Sequence, residues 1–417
     1  MISENNQQDF YRQLSLLNSS FDDMQAELEI TVRDPALGVE GYVVVWNTEI
    51  SADGPLPYCG KGGTRIREGL SLDEVRMLAR TMAIKNAAAG LPLGGAKSGL
   101  NANPREDDFE GKYRRFVKLC EPYLHEKGGI FGGFGFDIGA APEHAIWACE
   151  TLNSRRSFTG KTVAMGGTNY DGEGIAGLGV AEAASTLIHF SDADIESMSF
   201  AVHGVGAMGA AVIRYFSDKG AQLSAIGDPK YKGTWRFEKP LSNKLLDALI
   251  SQDVSAVQAM ISDEGTFISD EANDVLFQSV DVLFPCALHN VINAGNARDI
   301  AARFIIEGAN SPCTMDSYPL LFKQGIELIP DFIANCGGVI AAFVELSSTH
   351  VGEESDEESC DDQQKVIEAK TLTQTTIREN VANIISHSRR LKLPLRDVGL
   401  YIALSKILDS EKPENSV

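Results

Sequence analysis

The chain is poor in basic residues. It has 37 lysines and arginines against 58 aspartates and glutamates, which gives a formal net charge of −21. Nucleic acids and anionic membrane surfaces attract basic proteins, so this balance argues against both as partners. It does not argue against an anionic small substrate, which needs positive charge only where it binds.

The sequence also lacks a cysteine framework and a long apolar run. Its seven cysteines are scattered, odd in number and without a CxxC pair, so we predict neither disulfides nor a metal site. No apolar run approaches the length of a membrane span, and the first residues lack the charged-then-apolar order of a signal peptide. These features favour a cytoplasmic protein with reduced thiols.

Length and composition indicate a globular protein with more than one core. The chain has 417 residues, of which 43% are hydrophobic and 23% are charged, and we expect two domains. A glycine-rich stretch over residues 160–179 marks the crossing from one domain to the other. An acidic run from Glu353 to Asp362 predicts a solvated loop or helix start.

Two lysines lie among small residues in the segment 82–99. Lys85 ends an amphipathic helical pattern, and Lys97 follows a predicted turn at Gly94 and Gly95. Mutual repulsion of two ammonium groups, together with burial, lowers a lysine pKa toward the value that a general base needs. The alternative is that both are ordinary solvated lysines beside a glycine-rich turn.

One acidic residue stands in a second glycine-dense segment. Residues 128–140 are mostly glycine and apolar residues, and Asp137 is the acid among them. Asp137 is a candidate functional carboxylate, and the alternative is a helix cap before Pro142.

A dinucleotide-binding pattern follows in the second half of the chain. A strand over residues 197–203 leads into Gly204, Gly206 and Gly209, and a helix and a second strand then end at Asp228. The first glycine permits a tight turn, the second lets a pyrophosphate approach, and the third allows close helix packing. The alternative is a purely structural turn.

The acid at the end of the second strand bears on the choice of cofactor. Asp228 lies nineteen residues after Gly209, where a carboxylate accepts a hydrogen bond from a ribose hydroxyl. Because it repels a 2′-phosphate, we predict NAD rather than NADP, although Lys230 and Lys232 stand close by in sequence.

Several motifs agree in order with one family. Over roughly residues 30–410 the chain resembles the glutamate/leucine/phenylalanine/valine dehydrogenase superfamily, and within it the glutamate dehydrogenase branch most of all. The matching motifs are Lys61-Gly-Gly-Thr-Arg, Lys85-Asn-Ala-Ala-Ala-Gly-Leu-Pro-Leu-Gly-Gly-Ala-Lys97-Ser-Gly, Asp137-Ile-Gly, Gly204-Val-Gly-Ala-Met-Gly, Pro285-Cys-Ala-Leu-His-Asn, Glu307-Gly-Ala-Asn-Ser-Pro and Pro330-Asp-Phe-Ile-Ala-Asn-Cys-Gly-Gly-Val.

The resemblance implies an α/β protein with a smaller set of C-terminal helices. We expect an N-terminal α/β substrate domain over residues 1–165 and a Rossmann-like, doubly wound dinucleotide-binding domain over 166–365. Helices over 366–417 are expected to pack back on the first domain. Asn310 and Asn335 are expected to line the nicotinamide side of the cofactor site.

The resemblance also implies NAD(P)-dependent oxidative deamination of an L-amino acid. Lys85 is expected to bind the substrate α-carboxylate, Lys97 to activate water, and Asp137 to exchange protons with the amino nitrogen. These roles agree with the physical argument, because a fixed cation orients a carboxylate and a lysine of lowered pKa serves as a base. A carboxyl group in an apolar pocket has a raised pKa and moves a proton readily.

Substrate choice depends on three positions. Lys61 matches the lysine that reaches the side-chain carboxylate in glutamate dehydrogenases, so it favours glutamate. Ala342 and Ala176 replace a serine and a threonine of that branch, and losing a hydroxyl partner of a charged group costs about 1.5–3 kcal/mol. A branched-chain or aromatic amino-acid dehydrogenase, or a catalytically weak regulatory member, therefore remain alternatives. The resemblance further implies a homo-oligomer, with a hexamer favoured, acting on an amino acid or on a 2-oxo acid and ammonia.

Overall fold

The chain folds into two compact units. The computed structural model describes residues 6–348 and 361–410. The first unit contains Gln8–Tyr170 together with residues 339–348, 361–369 and 400–410, and the second unit contains Asp171–Gly338 and Lys370–Gly399. The acidic run predicted to be solvated lies mostly outside the described residues, as do residues 411–417.

Helices and strands alternate through both units, so the predicted α/β class is confirmed. The strands are β1 Leu28–Asp34, β2 Val39–Trp46, β3 Gly60–Lys61, β4 Thr64–Ile66, β5 Gly94–Leu100, β6 Phe134–Gly135, β7 Phe158–Thr159, β8 Ser199–His203, β9 Gln222–Asp228, β10 Gly233–Arg236, β11 Thr266–Ser269, β12 Val282–Pro285, β13 Phe304–Ile306 and β14 Glu327–Ile329. The helices are α1 Gln7–Asp23, α2 Leu72–Ala88, α3 Phe109–Cys120, α4 Pro142–Leu152, α5 Ile175–Phe190, α6 Ala207–Ser217, α7 Asn243–Ile250, α8 Val254–Glu264, α9 Tyr318–Lys323, α10 Asp331–Ala334, α11 Gly337–Ser348, α12 Asp361–Leu391 and α13 Leu395–Ser410.

The two units differ from the predicted domain ranges at the C-terminal helices. Residues 370–399 group with the second unit, because Arg378 of α12 pairs with Glu182 of α5 at 2.7 Å. The end of α13 groups with the first unit, where Lys406 Nζ donates to the Ala87 carbonyl at 3.2 Å. The return of the last helix to the first domain agrees with the predicted fold.

The first unit is built around a mixed sheet. Its strand order is β1-β2-β5-β3, and β4 also pairs with β5. β2 is antiparallel to β1 and β5, whereas β3 and β4 run parallel to β5. Every residue of β5 is buried, so this strand is the centre of the unit.

Gly94 and Gly95 belong to β5, so the turn predicted there is wrong. The strand continues because helix α2 packs directly on it. A Cβ on Gly95 would lie 2.3 Å from the Ala83 nitrogen and 2.4 Å from the Ala79 carbonyl oxygen. The small residues of this segment therefore let a helix approach a strand, rather than forming a wall for a ligand.

Helix α2 buries one face against the sheet. The hydroxyl of Ser71 caps its first turn by accepting from the Glu74 amide at 3.3 Å. Val75, Ala79 and Ala83 are fully buried, at the spacing of one helix face. Lys85 lies on the flank of this face and is half-buried.

The second unit contains a seven-stranded sheet in the order β11-β10-β9-β8-β12-β13-β14. Strands β9, β8, β12, β13 and β14 run parallel to one another. Strands β10 and β11 extend the sheet beyond β9 by antiparallel pairing. Strand order reverses at β8, which has β9 on one side and β12 on the other. This is the topological switch point at which doubly wound sheets bind ligands, and the predicted Rossmann-like domain is confirmed.

Segment Asp331–Ser348 is long and apolar enough to cross a membrane by length and composition alone. It consists of α10 and α11, and 67% of its 18-residue window is buried within the protein. Glu345, a fully buried carboxylate, lies in it. These features describe a core helix pair of the fold.

Gly95→Ala should destabilise the first unit by about 1–3 kcal/mol, because the added methyl group overlaps the backbone of α2. Urea denaturation followed by circular dichroism measures this as a lower transition midpoint. Gly111→Ala in α3 is the matched control, because its added Cβ meets no atom of the described residues within 4 Å. It should stabilise the unit by about 0.5–1 kcal/mol. Equal midpoints for the two variants would contradict the packing argument.

Candidate active site

The central feature of the first unit is a buried ion pair between Lys97 and Asp137. Lys97 stands in the middle of β5, and its Nζ lies 2.9 Å from Asp137 Oδ2. Asp137 follows β6 by two residues. The Lys97 residue is 5% exposed, so the ammonium is held away from water. The structure thus brings together the two residues predicted to be catalytic.

Arg65 joins this pair and was missed in the sequence as a functional residue. Its Nε lies 2.9 Å from Asp137 Oδ2, and its Nη2 lies 3.4 Å from Oδ1. It is placed there because β4 pairs with β5, which sets Arg65 opposite Gly99. The available signal was its position at the end of the Lys61-Gly-Gly-Thr-Arg motif.

The pKa of Lys97 is lowered, as its predicted role requires. Burial is the largest cause, and the charges of Arg65 and Lys85 add to it, while Asp137 opposes them. A lysine with a lowered pKa in contact with a carboxylate is suited to accept a proton.

The pKa of Asp137 is lowered rather than raised, so that part of the prediction is wrong. Burial raises its pKa, but the charges of Lys97 and Arg65 and their hydrogen bonds outweigh burial. The glycine-rich segment is therefore not an apolar pocket around the acid. Asp137 is held as a carboxylate between two cations.

Lys61 is buried with its ammonium turned toward the main chain. Its Nζ donates to the carbonyl oxygens of Gly133 at 2.7 Å and Phe134 at 2.6 Å. Burial lowers the pKa of Lys61 to about 7, while nearby Glu345 acts in the opposite direction. An ammonium has three N–H donors, so Lys61 can also donate to a ligand carboxylate.

A second buried ion pair lies near Lys61. Glu345 of α11 pairs with Lys161. Glu345 Oε2 also accepts from the amides of Gly160 at 2.9 Å and Thr168 at 3.1 Å. This cluster, which sequence reasoning missed, fixes the loop after β7 to α11. Ala342, predicted to contact substrate, is buried one helical turn before Glu345.

The glycine turn of the second unit has the geometry that each predicted glycine requires. Gly204 has φ of +86°, in the left-handed region, and a Cβ on Gly209 would lie 1.9 Å from the Gly204 carbonyl oxygen. A Cβ on Gly206 would meet no atom of the described residues within 4 Å. The turn is therefore tight, closely packed on its helix and open at its middle glycine, as a pyrophosphate requires.

Asp228 uses both carboxylate oxygens to hold this turn. Oδ2 accepts from the Val205 amide at 2.7 Å, and Oδ1 accepts from the Lys230 amide at 2.8 Å. Lys230 Nζ donates to the Val205 carbonyl at 3.0 Å. The acid is 5% exposed and is engaged by main-chain donors. Lys230 and Lys232 follow it at the second and fourth positions, and their charge weakens its repulsion of a 2′-phosphate.

Asn310 and Asn335 meet at the carboxyl ends of the parallel strands. Asn335 Nδ2 donates to the Gly308 carbonyl at 3.0 Å and to Asn310 Oδ1 at 3.1 Å. Asn335 Oδ1 is buried and has no hydrogen-bond partner among the described residues. A buried acceptor without a donor is costly, and the carboxamide N–H of a nicotinamide would supply one. The residues of this edge therefore fit a dinucleotide.

Two family models match the chain. The model described as Glu/Leu/Phe/Val dehydrogenase, dimerisation domain, matches residues 26–153. The model described as Glutamate/Leucine/Phenylalanine/Valine dehydrogenase matches residues 166–413, which is more than half of the chain. The chain belongs to this dehydrogenase family. The resemblance predicted from the motifs is confirmed, and the chain is an amino-acid dehydrogenase by family.

Named relatives belong to the glutamate branch. The NADP(+)-dependent glutamate dehydrogenase of Pyrobaculum calidifontis is 29% identical over 416 residues, covering 97% of this chain and 93% of the relative. The NADP-specific glutamate dehydrogenase of Saccharolobus shibatae is 29% identical, covering 85% and 82%. The hetero-hexameric glutamate dehydrogenase of Thermus thermophilus shares the fold, with a TM-score of 0.76, 20% identity and coverage of 98% and 97%.

The NAD preference predicted from Asp228 is wrong. The names of both the Pyrobaculum calidifontis and the Saccharolobus shibatae relatives specify NADP as the cofactor. The prediction failed because it treated Asp228 as a free ribose acceptor, whereas its oxygens are engaged by the amides of Val205 and Lys230.

Arg65→Gln should shift the acidic limb of the pH–kcat/KM profile to higher pH by about one unit. Removal of a positive charge raises the pKa of Lys97, so deprotonation of the base then needs a higher pH. Steady-state kinetics of glutamate oxidation between pH 6 and 10 measure the shift. Arg67→Gln is the control, because Arg67 shares the Glu74 partner of Arg65 but does not contact Asp137. An unmoved limb in Arg65→Gln would contradict the assignment of that limb to Lys97.

Proposed function

We propose that the protein oxidatively deaminates L-glutamate to 2-oxoglutarate and ammonia, with NADP as the hydride acceptor. The observation that carries the proposal is the buried contact between Lys97 and Asp137. It places a lysine of lowered pKa against a carboxylate, which is the pair that proton transfer at an amino-acid carbon and nitrogen requires. The names of the relatives support the substrate and the cofactor.

Three polar side chains of the first unit have separate roles in this proposal. Lys85 binds the α-carboxylate of the amino acid as a fixed cation. Asp137 takes a proton from the amino group. Lys97, once deprotonated, activates a water molecule for addition to the carbon that bore the hydride. Asp137 returns its proton to the departing nitrogen, so the products are the 2-oxo acid, ammonium, NADPH and a proton.

NADP supplies the hydride acceptor when it is bound to the second unit. The residues proposed to hold it are Gly204, Gly206 and Gly209 at the pyrophosphate and Asn310 and Asn335 near the nicotinamide. Lys230 and Lys232 supply positive charge for the 2′-phosphate. Asp228 holds the turn in place.

An apolar amino acid is the second candidate substrate. Ala342 stands where the glutamate branch has a serine, and the Lys61 ammonium already donates to two main-chain carbonyls. Both observations reduce the polar contacts offered to a side-chain carboxylate. A regulatory member without turnover is the remaining alternative.

A substrate panel separates these candidates. Purified protein is assayed with NADP and a series of L-amino acids, including glutamate, leucine, valine, phenylalanine and tryptophan, and the absorbance of NADPH is followed. The proposal predicts the highest kcat/KM for glutamate. Turnover confined to leucine or valine would favour the second candidate, and bound NADP without any turnover would favour the regulatory one.

Lys61→Met should lower kcat/KM for glutamate by about 10- to 100-fold, because one charged hydrogen bond to the side-chain carboxylate is lost. Activity on norvaline, which has a similar carbon chain and no side-chain carboxylate, should be kept or should rise. Lys118→Met, a change at a half-exposed lysine of the same unit, should alter neither. An equal loss with glutamate and norvaline would show that Lys61 is structural.

Lys232→Asn should lower kcat/KM for NADP by roughly five- to tenfold and leave the value for NAD unchanged. Lys232 is exposed and has φ of +63°, a conformation that asparagine tolerates. The control is Lys244→Asn, an equal loss of charge on an exposed helix of the same unit. A parallel loss with both cofactors would contradict a 2′-phosphate contact.

We also propose a homo-oligomer. The match to a domain described as a dimerisation domain and the assembly named for the Thermus thermophilus protein support it. Light scattering after size exclusion measures the mass, and a mass close to one 45.1 kDa chain would contradict it.

A further inference from the structure

A cavity of about 470 Å³ lies inside the second unit. One wall is formed by α9 and the turn into β14, and the other by the connection from α12 to α13. We call it the Arg396 pocket. Its volume is within the range of small-molecule sites in proteins.

The Arg396 pocket is separate from the cofactor edge of the sheet. It reaches β14 at Glu327 and Leu328, which begin that strand. The glycine turn at Gly204 follows the carboxyl end of β8, and β8 belongs to the same parallel set as β14. The pocket therefore opens at the amino end of the strands, opposite the edge where doubly wound sheets hold their dinucleotide.

The pocket is positively charged in a strongly acidic chain. Arg389, Lys392 and Arg396 line it, and Glu327 is the one carboxylate among its lining residues. Glu327 Oε2 lies 3.8 Å from Arg389 Nη2, so a single acid faces three cations. Since the whole chain has a net charge of −21, this local reversal indicates an anionic ligand.

The remaining wall is apolar. Leu321, Phe322, Leu328, Leu393 and Leu395 contribute side chains to it. Phe322 is 43% exposed, so its ring is accessible to a ligand. An apolar wall beside a cationic rim matches a molecule that has a negative head and a hydrocarbon body.

Arg396 is positioned by an aromatic ring, a thioether and its ion-pair partner Asp397. Its guanidinium stacks on the Tyr318 ring, 4.6 Å from the centroid, and Nη2 donates to Met315 Sδ at 3.2 Å. Its acidic neighbour Asp397 is 3.7 Å from Nη1, beyond hydrogen-bond distance. A carboxylate ligand would supply a stronger acceptor.

Tyr318 connects the pocket wall to the cofactor edge. Its hydroxyl donates to Glu307 Oε1 at 2.9 Å, and Glu307 Oε2 accepts from the Asp331 amide at 2.9 Å. Glu307 directly follows β13 and is fully buried. Asp331 in turn accepts from the Ser311 amide at 2.8 Å, next to Asn310. These hydrogen bonds connect the Tyr318 ring to the loop that carries Asn310.

We propose that the Arg396 pocket binds a small carboxylate with an apolar body, and that its occupancy changes cofactor affinity through Tyr318 and Glu307. Binding itself rests only on the pocket. The linkage rests in addition on the proposed cofactor site, and by thermodynamic reciprocity the cofactor changes the affinity of the carboxylate equally.

Isothermal titration calorimetry of the full chain with octanoate tests the binding step. The expected result is saturable binding of octanoate at one site per chain. The Kd should be at least tenfold lower than for acetate, which lacks the hydrocarbon chain, and than for 1-octanol, which lacks the carboxylate charge. Lys392→Asn and Arg396→Gln should each raise the Kd for octanoate by about tenfold, because each removes a charged hydrogen-bond donor. Absence of saturable binding would overturn the proposal.

Two further variants, Arg396→Lys and Lys244→Asn, make the binding test specific. Lys392 is exposed with φ of +53°, so Lys392→Asn leaves the fold intact and keeps the test valid if Arg396→Gln unfolds. Arg396→Lys, which keeps the charge, should bind octanoate more tightly than Arg396→Gln. Lys244→Asn, an equal charge change outside the pocket, should bind as the parent does. If all variants bind alike, octanoate binds elsewhere and the pocket is excluded.

Fluorescence titration with NADPH tests the linkage. Saturating octanoate should change the Kd of NADPH by at least threefold, and Tyr318→Phe, which lacks the hydroxyl that contacts Glu307, should abolish the change while still binding octanoate. A change that persists in Tyr318→Phe would overturn the link through Glu307. The calorimetry needs no cofactor, so a failure of the proposed NADP site is distinguished from a failure of the pocket.

Discussion

The burial of one ammonium group, that of Lys97, is the constraint on which the first unit depends. A buried cation without compensation is costly, and Asp137 at 2.9 Å supplies that compensation. The position of Lys97 on β5 follows from the small residues around it, because Gly95 lets α2 pack on the strand. The packing of helix on strand therefore creates the environment that lowers the lysine pKa.

Arg65 changes the chemistry of this site. A lysine and an aspartate without further partners could neutralise each other by transfer of one proton. The second cation, Arg65, keeps Asp137 ionised and also lowers the pKa of Lys97. The pKa values of both groups are therefore lowered, so that the carboxyl group stays ionised while the lysine is moved toward the value that a base needs. Burial also lowers the pKa of Lys61, to about 7, in the same unit.

The sequence was sufficient for features that are local. The strand–glycine–helix–strand pattern identified the turn at Gly204, and the ordered motifs identified the family and selected Lys97 and Asp137 as candidate catalytic residues. It failed where a long-range contact decides. Glu345 and Lys161 are 184 residues apart in sequence, and Asp228 accepts from the amide of Val205, which lies 23 residues before it. Gly94 and Gly95 resembled a turn because their strand role depends on a helix packed against them.

The most direct test of the account is Lys97→Met. The change removes the proposed base and keeps the volume of a buried side chain. Glutamate-dependent reduction of NADP at pH 8 and NADPH binding by fluorescence are measured on the same preparation. The account predicts at least about a 10³-fold loss of kcat, with the Kd of NADPH unchanged within twofold. Retention of more than a tenth of the parent kcat, with a folded protein, would contradict it.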